Sequence, residues 1–464
     1  MEKSAKMRRL RLPARGAVGY TAANLLIKSV GMLTTPFFTR LLGSSEFGRY
    51  SLYMSVLGIL SVTLSAFFSS GVIYRGLQSF SSGKDGFLVS GMAVSFGICT
   101  LICPLLFTFL PVLGLEASFA PIISLQVFLD SVVSLKCAEL RFGYKYMAVG
   151  GIGLVSALVS PLLGAVLISG AGLSYRGRIY GILISSLMVA IPILATTVRV
   201  GRARLGDCRY ILRHASPLLP HTASGAMWGQ LDKLLIGSLI GVTALAKYAV
   251  AHSLGIALTL LTGGISSALL PWTMRRLAEG GEERVKQING EILRALSAAV
   301  LLTVGLAPEL MRLLAPAEYS DALSAVAPIA LSALPSFAVS IAAYGAVFCG
   351  RSGLTVIPSL VGVAVSLMSN LLLLPLLGFL GAGLSLLLSQ LLSLCACLLL
   401  SGRYNCRIIE PLPLLRIILT TALASAPSVL FYSVAWVRVL LLIYPAILAL
   451  SCLFRLRTQV TETA

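Results

Sequence analysis

The amino-acid sequence predicts an all-α polytopic membrane protein, with about fourteen transmembrane helices arranged as two parallel six-helix lobes and two further C-terminal helices. The first observation is composition. Of 464 residues, 57% are hydrophobic and only 11% are charged, whereas a soluble domain carries about a quarter charged residues. The second is a succession of apolar runs long enough to cross a bilayer, which takes about 20 residues. The third is an internal repeat between the N-terminal and central parts of the chain.

Apolar runs cover almost the whole chain, and Gly and Pro interrupt many of them, as membrane helices tolerate. The predicted spans are 17–39, 46–74, 86–113, 118–140, 147–170, 178–199, 211–240, 246–274, 288–314, 321–348, 353–376, 379–401, 411–434 and 436–455. The segments between them are too short to form a catalytic domain outside the membrane. The sequence therefore predicts a transport protein rather than an enzyme.

Lys and Arg residues lie mainly on one side of this span plan. The side that holds both termini carries 26 of the 36 Lys and Arg residues, and the opposite side carries 7. Basic residues are enriched in cytoplasmic loops, so we expect both termini to be cytoplasmic. The same distribution explains the net charge of +19 without a nucleic-acid partner.

Residues 40–50 and 238–248 follow one pattern, offset by 198 positions. In each copy an apolar helix end is followed by a Gly, a short link, a basic residue and a Tyr. Parallel repeats are a known transporter plan, with the substrate path between the halves. The predicted domains are an N-terminal six-helix lobe at 1–198, a cytoplasmic basic linker at 199–213, a C-terminal six-helix lobe at 214–402, and two extra helices with a cytoplasmic tail at 403–464.

Lys28 lies well inside the first predicted span. It is about 16 Å from the start of that helix at 1.5 Å per residue, which is beyond easy snorkelling to the interface. Asn24, Gly31 and Thr35 share its helix face. Two interpretations stay open: Lys28 meets an anionic ligand at the lobe interface, or Asp130, near the middle of the fourth span, neutralises it. Asp130 is correspondingly a structural partner or an ion-coupling residue.

Asp232 and Lys233 are adjacent charges inside the seventh predicted span. Asp232 shares a helix face with Trp228, while Lys233 is rotated by about 100°. Because burial raises the pKa of a carboxyl group, Asp232 is suited to exchange a proton or a sodium ion, and Lys233 to meet substrate charge. The alternative is a structural ion pair that ties this helix to its neighbours. Under the 198-residue offset the pair falls on Thr34 and Thr35, so the two lobes differ in charge.

Other site types find no support in the sequence. Gly43-x4-Gly48-Arg49 lacks the Lys-Ser/Thr of a phosphate-binding loop, and the three histidines are too dispersed to form a metal centre. We therefore expect no metal, no cofactor and no ATP-driven step. The residues predicted to bind substrate are Asn24, Lys28, Arg40, Trp228 and Lys233, and those predicted to couple an ion are Asp232 and Asp130.

Three stretches carry a family resemblance, namely Phe37–Tyr50, Ala138–Tyr146 and Asp232–Gly237 with the following Lys247-Tyr248. They resemble the polysaccharide (O-antigen and lipid-linked oligosaccharide) flippases of the multidrug/oligosaccharidyl-lipid/polysaccharide transporter superfamily. Typical members have a TRLLGPEEYG turn after the first helix and a D-[KR]-apolar-apolar-apolar-G motif in the seventh. Here Ser44-Ser45 stands where Gly-Pro is common, and Ala246 replaces a Gly.

The resemblance implies that the protein flips an undecaprenyl-diphosphate-linked oligosaccharide across the bacterial cytoplasmic (inner) membrane by alternating access, for surface polysaccharide such as the O-antigen of lipopolysaccharide. Its partners would be the polyprenyl-diphosphate-linked glycan, membrane lipid, and the polymerase and glycosyltransferases of the same pathway. A cationic polar cavity between the lobes would suit the diphosphate-sugar head group, while the polyprenyl tail stays in lipid. The alternatives are a peptidoglycan lipid II flippase, a multidrug cation antiporter, or a receptor-like membrane protein with no transport cycle.

Overall fold

The computed structural model describes residues 26–27, 29–69, 71–79, 83–216, 219–405 and 407–461, and these residues are almost entirely α-helical, with no strand among them. The first helix, α1, covers 26–27 and 29–41. The other helices are α2 (Ser44–Ser69), α3 (Gly71–Ser79), α4 (Lys84–Val112), α5 (Phe119–Phe142), α6 (Tyr146–Ala171), α7 (Ser174–Val200), α8 (Leu205–Ala215), α9 (Leu219–Trp228), α10 (Leu231–Leu239), α11 (Val242–Ala278), α12 (Glu282–Gly305), α13 (Ala307–Leu314), α14 (Leu323–Phe348), α15 (Val356–Arg403), α16 (Pro411–Leu430), α17 (Ala435–Leu441) and α18 (Ile443–Thr461).

Ten helices within the described residues are long and apolar enough to cross a membrane. The remaining predicted spans do not each correspond to one long helix. The first lies partly outside the described residues, and the seventh is divided between α9 and α10. The last is divided between α17 and α18, and α15 carries two predicted spans in one helical segment. The prediction of an all-α polytopic membrane protein is confirmed.

The helical segment α15 folds back on itself at Gly378. Its 48 residues would extend about 72 Å as one straight helix, more than twice the hydrocarbon thickness. Gly378 instead has φ 54° and ψ −128°, and a β-carbon at Gly381 would lie 2.1 Å from the carbonyl oxygen of Leu373. Residues eight apart in a straight helix are about 12 Å apart, so the chain reverses direction here. The break coincides with the predicted boundary between spans 353–376 and 379–401.

The chain forms two compact units, Met1–Ala246 (unit 1) and Lys247–Ala464 (unit 2). Unit 1 has a core that includes the fully buried Leu88, Ile123 and Ile179. The boundary falls after α9 and α10, so these helices belong to unit 1. The predicted division at 1–198 and 214–402 concerns the repeat and stays a prediction.

The basic segment 199–213 packs against α4 and is not an unpacked loop. A β-carbon at Gly201 would lie 2.4 Å from the carbonyl group of Asp85, and the backbone N–H of Arg204 donates to Ser90 Oγ at 2.9 Å. The helix α8 that follows buries Ile211 and Ala215. The predicted linker is thus largely an ordered part of unit 1.

In unit 2, the core joins α11, α12, α14, α15 and α16, with Val300, Leu334 and Ile341 among its buried residues. Within this unit, an ion pair joins α17 to α13. Arg438 of α17, 5% exposed, donates two hydrogen bonds of 2.6 Å to the carboxylate of Glu309 in α13. The Arg438 guanidinium holds the pKa of Glu309 below its usual range. Such bidentate pairs are among the stronger polar contacts in proteins.

Helix boundaries agree with the repeat. The ends of α1 and α10, at 41 and Leu239, are 198 residues apart, and so are the starts of α2 and α11 at Ser44 and Val242. The two glycines of the turn differ, because Gly241 has φ 122° and belongs to the positive-φ residues whereas Gly43 does not. Only the second copy therefore requires a glycine for its backbone conformation.

Gly48, in the family-like turn, is required by a close approach instead. A β-carbon there would lie 1.8 Å from the carbonyl oxygen of Val242, so Gly48→Ala must separate the starts of α2 and α11. Overpacking of this kind costs about 1–3 kcal/mol. We expect a clearly lowered midpoint of thermal unfolding for Gly48→Ala in detergent.

The control for this measurement is Gly43→Ala in the same turn, because a β-carbon there meets nothing within 4 Å. Gly43→Ala should unfold close to the temperature of the unchanged protein. Equal midpoints for the two variants would show that the contact between Gly48 and Val242 does not limit packing.

Candidate functional site

Unit 1 contains a cavity of about 610 Å³ lined by α1, α2, α5, α6 and α7. Its polar side chains lie at three levels. Arg141 of α5 is at one end, Gln126, Asp130 and Ser186 are in the middle, and Arg178 and Ser160 are at the other end. Asp130 is eleven residues before Arg141, about 16 Å along α5, and Arg178 is eight residues before Ser186, about 12 Å along α7. The cavity therefore extends through much of the depth of a bilayer, with a carboxylate between two cations.

Asp130 is held by neutral hydrogen-bond donors. Its two carboxylate oxygens accept hydrogen bonds from Ser61 Oγ at 2.9 Å and from Gln126 Nε2 at 2.8 Å. Gln126 Nε2 also donates to Ser186 Oγ of α7 at 2.7 Å. Among the residues that the structure describes, no basic side chain forms an ion pair with Asp130. A carboxylate in this position is suited to bind a proton or a small cation.

The alternative partner for Asp130, Lys28, lies outside the described residues, as does Asn24. The neighbouring part of α1 is described, and Gly31 and Thr34 line the cavity. Gly31 belongs to the face of α1 that the sequence predicted to be functional. Through Gly31, this face lines the same cavity as Asp130. Whether Lys28 or Asn24 binds substrate stays a prediction.

The seventh predicted span is broken just before Asp232 and Lys233. α9 ends at Trp228, and the backbone N–H of Gln230 donates to the Met227 carbonyl at 3.0 Å in a tight turn. α10 begins at Leu231, which places Asp232 in its first turn, where the helix dipole favours a negative charge. Discontinuous helices are common at the binding sites of transporters. A helix break beside two charges is therefore a candidate functional feature in its own right.

The side chains of Asp232 and Lys233 form hydrogen bonds with different groups. Asp232, 3% exposed, accepts a hydrogen bond from the backbone N–H of Lys233 at 2.8 Å. The Lys233 ammonium donates to Gln230 Oε1 at 3.3 Å, and the two side chains do not form an ion pair with each other. The Lys233 charge is therefore held by a neutral amide within the turn.

Close packing fixes this turn against α2. The side chain of Gln230 lies beside Gly58, where a β-carbon would be 3.6 Å from its Nε2 atom. A β-carbon at Gly237 would lie 3.0 Å from a methyl carbon of Leu52. The glycine that closes the D-K-L-L-I-G motif thus allows α10 to approach α2, which positions the turn.

Two predicted residues lie apart from the cavity. Arg40 is exposed at the end of α1, where its Nη1 donates to the Pro36 carbonyl at 3.0 Å. Trp228 is half-buried at the end of α9, and neither residue lines the unit 1 cavity. Their proposed contact with substrate stays a prediction.

Arg178 is the site residue that the sequence reasoning missed. The predicted span 178–199 begins at this residue, which was counted among the basic residues at the outer membrane face, but α7 begins four residues earlier, at Ser174. Arg178 is consequently only 8% exposed and lines the cavity with Ile182, Ser185 and Ser186. These four positions are spaced i, i+4, i+7 and i+8 and therefore lie on one helix face. That spacing is the sequence signal from which Arg178 could have been predicted.

A multi-spanning helical chain with a charged cavity inside unit 1 defines the class, a polytopic membrane protein. A family model described as "Polysaccharide biosynthesis protein" matches residues 37–301. That is more than half of the chain, and the chain belongs to this family. No curated protein gives a significant sequence match.

Solved structures of transporters share the fold. A lipid II flippase, MurJ, in an inward closed conformation has a TM-score of 0.77 at 13% identity, covering 94% of this chain and 99% of that chain. An inward-facing multidrug resistance MATE family transporter of the MOP superfamily has a TM-score of 0.68 at 15% identity, covering 82% and 94%. A MOP superfamily transporter from Pyrococcus furiosus, described as having a binding pocket of reverse polarity, has a TM-score of 0.61 at 16% identity, covering 85% and 96%.

These likenesses establish the fold and leave the cargo open, because flippases and multidrug transporters both have it. The solved structures that share the fold are those of transport proteins. The choice among substrates depends on the residues of this chain.

Asp130→Asn tests the carboxylate in the cavity. If Asp130 binds a proton or sodium ion, that ion stabilises the folded protein by mass action. We expect the thermal unfolding midpoint of the purified protein to depend on pH, or on sodium at constant ionic strength, and Asp130→Asn to remove that dependence. Ser61→Ala keeps the charge and should retain it. An unchanged dependence in Asp130→Asn would exclude Asp130 as the ion-binding group.

Proposed function

We propose that the protein flips an undecaprenyl-diphosphate-linked oligosaccharide across the cytoplasmic membrane by alternating access, as a step in surface polysaccharide biosynthesis. The observation that carries the proposal is membership of a polysaccharide biosynthesis family by a chain with a transporter fold. A membrane protein of this pathway with this fold is suited to move an intermediate across the membrane.

The physics of the substrate class supports a dedicated flippase. A diphosphate-sugar head group is charged and strongly hydrated, and transfer of such groups into hydrocarbon is very unfavourable. The polyprenyl tail is already soluble in lipid. A transporter therefore needs polar groups for the head group only, and the described residues supply cations for it inside apolar helices.

Lys233 is the cation that we assign to the head group. Its ammonium donates to the neutral Gln230 side chain at 3.3 Å and forms no ion pair with an acid among the described residues. A Lys at a helix centre costs about 2.5–3.5 kcal/mol by insertion scales. A passing diphosphate would offset this cost. Asp130 and Asp232 are then the groups proposed to couple the cycle to a proton or sodium ion.

A lipid II flippase is the second candidate, favoured by the likeness to MurJ over 94% of this chain. The two functions are distinguished by which deficient strain the protein complements. Export of a surface glycan in a strain that lacks its oligosaccharide flippase supports the first, and growth of a strain depleted of its lipid II flippase supports the second.

We further propose that both termini are cytoplasmic, because 26 of the 36 Lys and Arg residues lie on their side of the span plan and basic loops stay inside. Reporter fusions after residues 45, 175 and 317 should then be outside, and a fusion after residue 464 inside. A C-terminal reporter found outside would contradict both the orientation and the even number of spans.

Lys233→Ala tests the proposed function directly. We expect it to abolish glycan export in the flippase-deficient strain at near-normal protein abundance, since the missing charge contacts substrate. Lys233→Arg should keep part of the activity. Export is measured as surface glycan per amount of transporter.

Lys286→Ala is the matched control, because Lys286 pairs with the exposed Glu283 at 2.6 Å and its loss should leave export unchanged. A collapse in the abundance of Lys233→Ala would indicate a structural role in the helix break. Normal abundance with normal export would remove Lys233 from the substrate path.

A further inference from the structure

Two arginines of the described residues are buried, and their surroundings differ. Arg438 is 5% exposed and Arg178 is 8% exposed. Arg438 has the carboxylate of Glu309 as a bidentate partner. Arg178 has no carboxylate within ion-pair distance among the described residues. Burying a cation without an opposite charge lowers the stability of the fold. The groups around Arg178 therefore indicate what offsets this cost.

Neutral groups surround the Arg178 guanidinium. Its Nη1 donates to Ser160 Oγ at 3.0 Å. The Cζ atom lies 4.4 Å from the centre of the Phe38 ring and 5.6 Å from that of Tyr50, and such cation–π contacts offset part of the cost of burial. Among the described residues, the buried Nε atom has no hydrogen-bond partner. Only one of the five donors of the guanidinium therefore has a hydrogen bond to a described residue, although the side chain lines the cavity.

The backbone of α6 is shaped to accept this side chain. A β-carbon at Gly164 would lie 2.9 Å from the Cδ atom of Arg178, so only glycine leaves room for it. Ser160, which orients the guanidinium, is one turn before Gly164 on the same helix face. The packing of α6 thus holds Arg178 at one end of the cavity.

We infer that Arg178 forms an anion-binding subsite in the unit 1 cavity, which takes a phosphate or carboxylate group. The planar guanidinium matches both anions through paired hydrogen bonds. Asp130, about 12 Å further along the cavity axis, repels an anion from the middle level, so an anion bound at Arg178 stays at that end. That the anion belongs to the transported molecule, as its diphosphate or as an acidic sugar, rests on the proposed function.

The test is anion-dependent stabilisation of the full-length purified protein in nanodiscs of zwitterionic lipid. The probes are inorganic pyrophosphate, glucuronate and undecaprenyl diphosphate, each compared with chloride at equal ionic strength. We expect at least one probe to raise the unfolding midpoint, Arg178→Gln to abolish that rise, and Arg178→Lys to reduce it. A response to pyrophosphate assigns the subsite to phosphate, and a response to glucuronate alone assigns it to a sugar carboxylate. A response to undecaprenyl diphosphate alone assigns it to a lipid-borne phosphate.

Arg176→Gln is the matched control, because Arg176 is two residues away, exposed, and paired with Glu116 at 2.7 Å. It should respond to the probes as the unchanged protein does. If Arg178→Gln does not fold, Ser160→Ala and Arg178→Lys replace it, and both should weaken the response. No rise with any probe, or an equal rise in the Arg178 and Ser160 variants, overturns the subsite. Glycan export is measured separately, so failure of export and failure of anion binding are distinguishable.

Discussion

The hydrocarbon interior of a bilayer offers no water to a polar group, and this constraint governs most features of the structure. Backbone N–H and C=O groups must bond within the chain, which leaves helices as the available element for a chain of this composition. The same requirement applies where helices break. At the turn between α9 and α10, the backbone N–H of Gln230 donates a hydrogen bond to the Met227 carbonyl. The Gln230 side chain accepts a hydrogen bond from the Lys233 ammonium. The break is tolerated because its polar groups remain bonded.

Charged side chains follow the same rule in two ways. Arg438 is neutralised by Glu309 and joins α17 to α13 within unit 2, which is a structural use of charge. Asp130, Lys233 and Arg178 are bonded to hydroxyl, amide and aromatic groups instead. Neutral partners stabilise a charge without cancelling it, so these three groups can still interact with an ion or a charged substrate.

The sequence predicted the fold well because span length and hydropathy are local properties. It located the boundary between two spans within α15 because Gly378 interrupts an apolar run, and it matched the helix ends at 41 and Leu239 through the repeat. Within the candidate site it singled out Asp130, Asp232 and Lys233, whose roles stay predictions. It missed Arg178, because where a helix begins depends on tertiary packing as well as on hydropathy. The break at Gln230 was missed for a similar reason, since a glycine in a membrane helix does not by itself reveal a turn.

The reversal at Gly378 affects how the chain enters the membrane. The two halves of α15 are joined with almost no intervening loop, since Gly381 already contacts Leu373. Between Val356 and Gly402 the segment contains no charged residue, so no ionised side chain has to be carried through the hydrocarbon with the turn. The pair is therefore suited to partition from the translocation channel into lipid as one helical hairpin during synthesis, without the cost of desolvating a charged side chain.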